Sequence, residues 1–405
     1  MTTFSAESVQ VPLKIYDWDD SAGAVKALAF FPDGKRVVTA GHDDTSTRVW
    51  DLENGTEDGE PLLGCHIEPT LSVAVSKYGK EIVTGGSDGK AVVWNTETRT
   101  VSKILHAGPP GTKILCVAFN NTSSPMLVAS SGSDGVVRFW KLGPDEYSNP
   151  IKQLVIPNKS TVSSIAFAPS VNFIAVASFD KKVRIYEVYS GRGETPLATF
   201  DVHTVLPSSL AWFPGAQQLV SGGDKTVYVW NTRNIREQEV SPKALMGHSK
   251  LVKTVAVTPD GRFIASGGSD GTVRLWNAVT GVQIGSPLSI GYPTFAGVDI
   301  VAFSPDGKVL LSITKNGGYL WDMNYLEVEE GIQGMRRVMD ELVISSADQQ
   351  SEMREMFKYE VRRSTCRFSR VVLMLYTVHM TRWTKCVKRM NKNLLICGRS
   401  WSKLG

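Results

Sequence analysis

One aromatic position recurs at nearly constant spacing along this 405-residue chain. Successive members are separated by 44, 46, 46, 44, 46 and 45 residues, and the seven are Trp50, Trp94, Trp140, Tyr186, Trp230, Trp276 and Trp321. A period of this size is typical of a propeller, in which each repeat forms one small sheet. The spacing therefore predicts seven blades between about residues 25 and 325.

Each repeat has room for four strands. The run from Arg262 to Trp276 reads as an apolar strand, a Gly/Ser/Asp turn and a second strand. Upstream, Ala302 to Gly307 reads as the end of another strand followed by a tight turn. A further strand fits after the aromatic position, as at Val101 to Leu105 or Ile151 to Ile156. We therefore predict an all-β fold, a seven-bladed β-propeller of four-stranded antiparallel blades.

Three repeats share a set of polar residues at matching offsets from the tryptophan. The sets are His66, Thr84, Asp88 and Trp94, then His203, Ser221, Asp224 and Trp230, then His248, Ser266, Asp270 and Trp276. They resemble the WD-repeat propeller family, in which Gly-His, Ser or Thr, a turn Asp and Trp-Asp recur in each repeat. The other repeats depart from this pattern: blades one, four and seven lack the preceding histidine, and blade four ends in Tyr186.

A serine, a histidine and an aspartate are also the parts of a hydrolase triad. An enzyme needs one activated nucleophile, whereas this set recurs three times and always ends in tryptophan. A buried indole N–H needs an acceptor, and a carboxylate can hold an imidazole in one tautomer. We therefore interpret the three sets as structural blade networks and predict no catalytic residues.

A closed ring needs an outer strand for its last blade. Val9 to Tyr16 alternates apolar and other residues and precedes the first full repeat, and Pro12 is compatible with an edge strand. The family resemblance implies that strand 9–16 closes blade seven. We expect a propeller over residues 8–330 and a separate tail over residues 331–405.

The loops of a propeller rim are the expected docking surface, because loops on a rigid scaffold commonly carry function. Blades one and four place His42 and Phe179 before the turn aspartate, where other blades have small residues. Phe179 lies close to Lys181 and Lys182, a combination suited to an acidic peptide, although a solvated turn is the alternative. The remaining candidates are Lys225, and Tyr292 and Phe295 before blade seven, which equally fit core packing.

The charge of the chain is divided unevenly. Residues 331–405 carry 15 Lys and Arg against 6 Asp and Glu, whereas residues 1–330 carry 29 against 34. The tail combines basic residues with Phe368, Tyr376, Trp383 and Trp401, which suits weak binding of nucleic acid or an anionic surface. A partly helical segment packed on the ring, a disordered tail and mispredicted coding sequence are the alternatives.

The sequence gives little support for disulfides, a phosphate-binding loop, a metal site or a membrane span. The five cysteines form no C-x-x-C pair and are odd in number, which favours a reducing compartment, the cytoplasm or nucleus. Gly108 to Lys113 lacks the second glycine directly before the lysine, and the Ser or Thr directly after it, that a phosphate-binding loop needs. No set of three or four soft ligands suits a metal, and no apolar run reaches the ~18 residues of a membrane span. We expect no cofactor, no metal and no transmembrane segment.

We therefore expect a noncatalytic scaffold, a monomeric ring within a larger complex that binds other proteins or acidic peptides on its rim. The same fold hosts many roles, so this expectation follows from the family resemblance. Two alternatives remain, a nucleic-acid-associated or anionic-surface factor that acts through the basic tail, and a propeller enzyme.

Overall fold

The computed structural model describes residues 14–16, 24–41, 45–120, 126–143, 149–169, 172–189, 195–233, 235, 241–289 and 297–324. These residues form 28 strands in seven sheets, and each sheet contains four antiparallel strands. The seven-bladed propeller of four-stranded blades is thereby confirmed, while the expectation of a partly helical or disordered tail lies outside the described residues.

The strands follow one another from the inner to the outer edge of each blade. Blade one contains β2 (Ala27–Phe30), β3 (Arg36–Ala40), β4 (Thr47–Asp51) and β5 (Thr56–Glu57). Blade two contains β6 (Thr70–Val75), β7 (Glu81–Gly86), β8 (Lys90–Asn95) and β9 (Val101–His106). Blade three contains β10 (Ile114–Asn120), β11 (Leu127–Gly132), β12 (Val136–Lys141) and β13 (Lys152–Val155).

Blades four to seven repeat this order. Blade four contains β14 (Val162–Phe167), β15 (Phe173–Ser178), β16 (Val183–Glu187) and β17 (Ala198–Phe200). Blade five contains β18 (Ser209–Trp212), β19 (Gln218–Gly222), β20 (Thr226–Asn231) and β21 (Lys243–Met246). Blade six contains β22 (Val252–Val257), β23 (Phe263–Gly268), β24 (Thr272–Asn277) and β25 (Gln283–Ser289). Blade seven contains β26 (Val298–Phe303), β27 (Val309–Thr314), β28 (Gly317–Asp322) and, at its outer edge, β1 (Lys14–Tyr16).

The core of the ring lies between adjacent blades. Second strands such as β11 and β23 are buried along their whole length, because both faces of each sheet pack on a neighbour. These strands consist of small and β-branched residues that fit a two-sided sheet, as in the sequence LVASSG of β11. Each inner strand contacts the inner strand of the next blade, and β2 contacts β26. The ring is therefore continuous from blade seven to blade one.

Hydrogen bonds reinforce several joints between inner strands. Ser72 in blade two accepts the backbone N–H of Val117 in blade three at 3.0 Å. Thr254 in blade six accepts that of Val301 in blade seven at 3.1 Å. The joint between blades seven and one is instead packed by apolar side chains, among them Leu28 and Ile300.

The closing strand of blade seven comes from the start of the chain. Lys14, Ile15 and Tyr16 pair antiparallel with Leu320, Tyr319 and Gly318 of β28. Residues 9–13, the first part of the expected closing strand 9–16, lie outside the described residues.

Two sets of loops bound the ring. The upper rim comprises the connections that precede inner strands (residues 66–69, 107–113, 157–161, 201–208 and 247–251) and the turns between second and third strands (87–89, 133–135, 179–182, 223–225 and 269–271). These loops share one side because the inner strand begins where the second strand ends, as in the pairing of Val162 with Ser178. The turns between first and second strands and those between third and fourth strands form the lower rim.

Candidate functional site

A tryptophan and a hydroxyl residue are hydrogen-bonded in six of the seven blades. In each pair the indole N–H donates to the hydroxyl oxygen over 2.8 to 3.0 Å. The pairs are Trp50 with Thr39, Trp94 with Thr84, Trp140 with Ser130, Trp230 with Ser221, Trp276 with Ser266, and Trp321 with Ser312. Blade four differs, since Tyr186 and Val176 occupy the two positions.

The histidine extends this pair into a longer network in blade six. Nε2 of His248 lies 2.8 Å from the Ser266 oxygen, and its Nδ1 lies 3.0 Å from Oδ2 of Asp270. Asp270 also accepts the backbone N–H groups of Ser249 and Thr272. The partners fix the tautomer: Nδ1–H donates to the carboxylate, and Nε2 accepts the hydroxyl proton of Ser266.

Blades two and five repeat the arrangement with small changes. His66 lies 2.9 Å from Thr84 and 3.0 Å from Asp88. His203 lies 2.8 Å from Ser221, but its Nδ1 is 3.3 Å from Asp224 without hydrogen-bond geometry. Asp224 instead accepts the hydroxyl of Thr204 at 2.8 Å.

Burial controls the protonation of these networks. Burial lowers the pKa of His66, His203 and His248. The neighbouring carboxylates favour the protonated imidazole and so act to raise these pKa values, but the effect of burial is larger. Burial also acts to raise the pKa of Asp270, but the backbone N–H of Ser249, the nearby His248 and the Thr272 hydroxyl together outweigh it, so this pKa lies below the ordinary value. In blade six a neutral imidazole therefore faces an ionised carboxylate near pH 7.

The networks leave no nucleophile poised for reaction. The hydroxyl of Ser266 is engaged by both Trp276 and His248, and its side chain is fully buried. Among the described residues, no group of three His, Cys, Asp or Glu side chains could hold a metal ion. In blade six the Ser266 hydroxyl thus has both its donor and its acceptor role occupied by residues of the blade.

Two blades use an arginine in place of the histidine, which the sequence patterns did not indicate. In blade three, Thr112 stands where His66 and His248 stand in their blades, and Arg138 donates to Asp134 at 2.6 Å. In blade four, Arg184 binds Asp180 and also donates to Ser178 at 2.9 Å. An arginine two residues before the aromatic position marks both pairs, but it does not identify them by itself, because Arg48 at the same offset in blade one donates to Ser46 and Glu57.

The candidate rim residues in blades four and five lie on the upper rim. The Phe179 side chain is 50% exposed, and its backbone N–H donates to the Thr161 carbonyl at 2.8 Å. Lys181 and Lys225 are exposed, whereas Lys182 pairs with Asp201 at 2.8 Å. His42, Tyr292 and Phe295 lie outside the described residues.

Apolar side chains are exposed on other parts of the upper rim. Ile67 is 78% exposed, and Leu206 and Leu251 are also exposed in the connections before blades five and six. With Phe179 and Val202 they place exposed apolar area on this rim, although scattered exposed apolar residues are normal. No helix in the described part of the chain is long and apolar enough to cross a membrane.

Comparison with known proteins identifies the repeats. The family model "WD domain, G-beta repeat" (WD40) matches residues 11–51, 61–95, 102–141, 149–187, 194–231 and 240–277, together more than half of the chain.

Individual relatives match the ring region. A Periodic tryptophan protein 2 homolog of Dictyostelium discoideum is 33% identical over 218 residues, 53% of this chain and 22% of that protein. A Denticleless protein homolog of Danio rerio is 29% identical over 306 residues, 64% of this chain and 45% of that protein. A guanine nucleotide-binding protein subunit beta of Nicotiana tabacum is 27% identical over 293 residues, 68% of this chain and 74% of that protein.

The chain spans less than half the length of the first two relatives. Its seven four-stranded blades, the recurring tryptophan networks and the six matched segments nevertheless agree with one another. The chain belongs to the WD40 family of WD-domain, G-beta repeat propellers.

Proposed function

We propose that the ring is a noncatalytic scaffold that binds other proteins on its upper rim. One observation carries this proposal: the Ser266 hydroxyl accepts the Trp276 indole N–H and donates to His248, so the set that resembles a catalytic triad offers no free nucleophile. The exposed Ile67, Leu206 and Leu251 supply apolar contact area on one rim. A rigid ring with exposed apolar loop residues suits protein recognition.

The names of relatives support this proposal. One is called a subunit of a guanine nucleotide-binding protein, and another, from Arabidopsis thaliana, a cofactor of the APC complex. Both names describe members of larger assemblies. By this similarity we propose that residues 8–330 form a monomeric ring that joins a complex, in the cytoplasm or nucleus. The free cysteines Cys65 and Cys116 are compatible with such a reducing compartment.

The test is affinity purification of the full chain with mass spectrometry, with and without nuclease. The upper-rim variant combines Ile67→Ser, Leu206→Ser and Leu251→Ser, and the control combines Tyr78→Ser and Val279→Ser on the lower rim, which are also exposed. We expect the upper-rim variant to lose protein partners that the control and the wild type retain. Equal recovery by all three proteins would rule out this use of the upper rim.

The alternative of nucleic-acid or anionic-surface binding depends on residues 331–405, which lie outside the described residues, and it stays a prediction. The nuclease arm separates the two ideas, since partners held through nucleic acid disappear after digestion.

A further inference from the structure

The turn between β15 and β16 of blade four differs from its counterparts on both sides of the aspartate. Ser87, Ser133 and Ser269 precede the aspartate in blades two, three and six, whereas blade four has Phe179. The following residue is glycine in those three blades, whereas blade four has Lys181. The blade-four turn thus has an aromatic residue where the other three have serine, and a lysine where they have glycine.

The lysine adopts a backbone conformation that favours glycine. Its φ is 68°, close to the 78°, 69° and 78° of Gly89, Gly135 and Gly271 at the same turn position. A side chain in this left-handed region costs free energy because Cβ approaches the backbone carbonyl. The turn itself therefore does not account for Lys181, and strained positions of this kind cluster at functional sites.

A second lysine in the left-handed region lies in the adjoining connection. Lys159 has a φ of 50° and is exposed. Two residues later, the carbonyl of Thr161 accepts the backbone N–H of Phe179 at 2.8 Å, which joins this connection to the turn. Residues 157–161 and 179–182 therefore form one continuous patch, called here the blade-four surface.

The charge balance of the blade-four surface and its surroundings is positive. Asp180 is bound by Arg184, and Asp201 is paired with Lys182. Lys159 and Lys181 form no ion pair with described residues, so their charges face solvent uncompensated. The positive charge of this surface contrasts with the excess of acidic residues over residues 1–330. The tail over residues 331–405 is also basic, so its charge is not complementary to the blade-four surface.

We propose that the blade-four surface binds an acidic peptide segment of a partner protein that carries an apolar side chain. Phe179 contacts the apolar side chain, and the ammonium groups of Lys159 and Lys181 pair with carboxylates on the peptide. Opposite charges give orientation and rate of association, and a half-exposed aromatic ring gives apolar area. The inference rests on the proposed scaffold function and names the chemistry of one partner.

The test is fluorescence anisotropy with the full chain at low salt. The probe is a labelled peptide of Asp and Glu residues with one central Leu, compared with the same peptide carrying Ser in place of Leu. We expect the Leu peptide to bind with an affinity that falls as salt rises. Lys159→Glu combined with Lys181→Glu weakens binding at least tenfold, and Phe179→Ser lowers the affinity for the Leu peptide to that for the Ser peptide.

Two further variants make the result specific. Lys80→Glu changes an exposed lysine of the lower rim and leaves the affinity unchanged. Lys181→Gly restores the residue of the other turns, so it raises the melting temperature while it weakens peptide binding.

The inference is overturned if neither peptide binds, or if Lys80→Glu weakens binding as much as the charge reversals on the blade-four surface do. The affinity purification above leaves Phe179, Lys159 and Lys181 intact. Failure of the peptide experiment alone therefore removes this inference, whereas unchanged partner recovery in the affinity purification removes the proposed use of Ile67, Leu206 and Leu251.

Discussion

Arg138 binds Asp134 through a 2.6 Å hydrogen bond, and this pair replaces the histidine and aspartate of blades two and six. The side chains are only 11% and 15% exposed. In blade six, Arg274 occupies the same strand position but donates to Gln283, because His248 already binds Asp270. In blades three and four the arginine thus reaches the turn aspartate in the absence of the histidine.

Removing the arginine alone should destabilise blade three. Arg138→Met leaves the largely buried Asp134 carboxylate without its cation, and we expect a loss of about 3 kcal/mol in the free energy of unfolding. Chemical denaturation measures the loss. The double variant with Asp134→Asn should recover part of it, since the unpaired charge is gone. If the double variant is less stable than Arg138→Met, the unpaired carboxylate is not the cause.

These pairs also show how far the sequence predicts the structure. The tryptophan period predicts the blades because the indole must be buried against the hydroxyl residue of the neighbouring strand, which Trp276 and Ser266 do. The arginine pairs could not be predicted from residue spacing alone. Whether Arg184 points at Asp180 depends on strand register and on the absence of a histidine between them.

The sequence pattern also could not predict which rim lysines lack an acidic partner. Both Lys181 and Lys182 follow the aspartate of blade four, yet only Lys182 meets an acidic partner, Asp201, from the outer part of the same blade. That contact joins residues far apart in the chain, and the sequence of the turn does not contain it.

The hydroxyl of Ser266 should contribute measurably to the free energy of unfolding. Ser266→Ala removes the acceptor of the Trp276 indole N–H and the donor to His248, so two buried groups lose a partner. We expect a loss of about 2 kcal/mol in the free energy of unfolding, measured by chemical denaturation. Ser266→Thr is the matched control, since Thr84 makes the same contacts in blade two, and it should retain most of the stability. Equal losses in both variants would argue against the network.

The buried histidines should make the ring sensitive to mild acid. Each has a folded pKa below the ordinary 6.5, so the unfolded chain binds more protons than the folded ring as pH falls through about 6.5. The free energy of unfolding is therefore highest above this pH. Below it, each histidine lowers the free energy of unfolding by at most about 1.4 kcal/mol per pH unit, until the pH reaches the pKa of that histidine in the folded ring.

Denaturation between pH 7.5 and 5.5 tests this dependence. His248→Gln should be less stable at pH 7.5 but should lose less additional stability on acidification, because one titrating group is absent. His106→Gln, a change at an exposed histidine, should keep the wild-type dependence. The idea fails if His248→Gln and the wild type lose equal stability over this range.

The pairing of Ile15 with Tyr319 should make the start of the chain essential to the ring. Deleting residues 1–16 removes β1 and leaves the outer backbone edge of β28 unpaired, beside buried Tyr319 and Leu320. We expect the melting temperature to fall by about 5 °C or more. Deleting residues 1–8, which precede the predicted closing strand 9–16, is the control and should change the melting temperature little. Hydrogen exchange locates the effect: the amides of β28 should exchange faster in the longer deletion, since an open blade frays at its unpaired edge. Equal melting temperatures for the two deletions would show that β28 holds blade seven closed without β1.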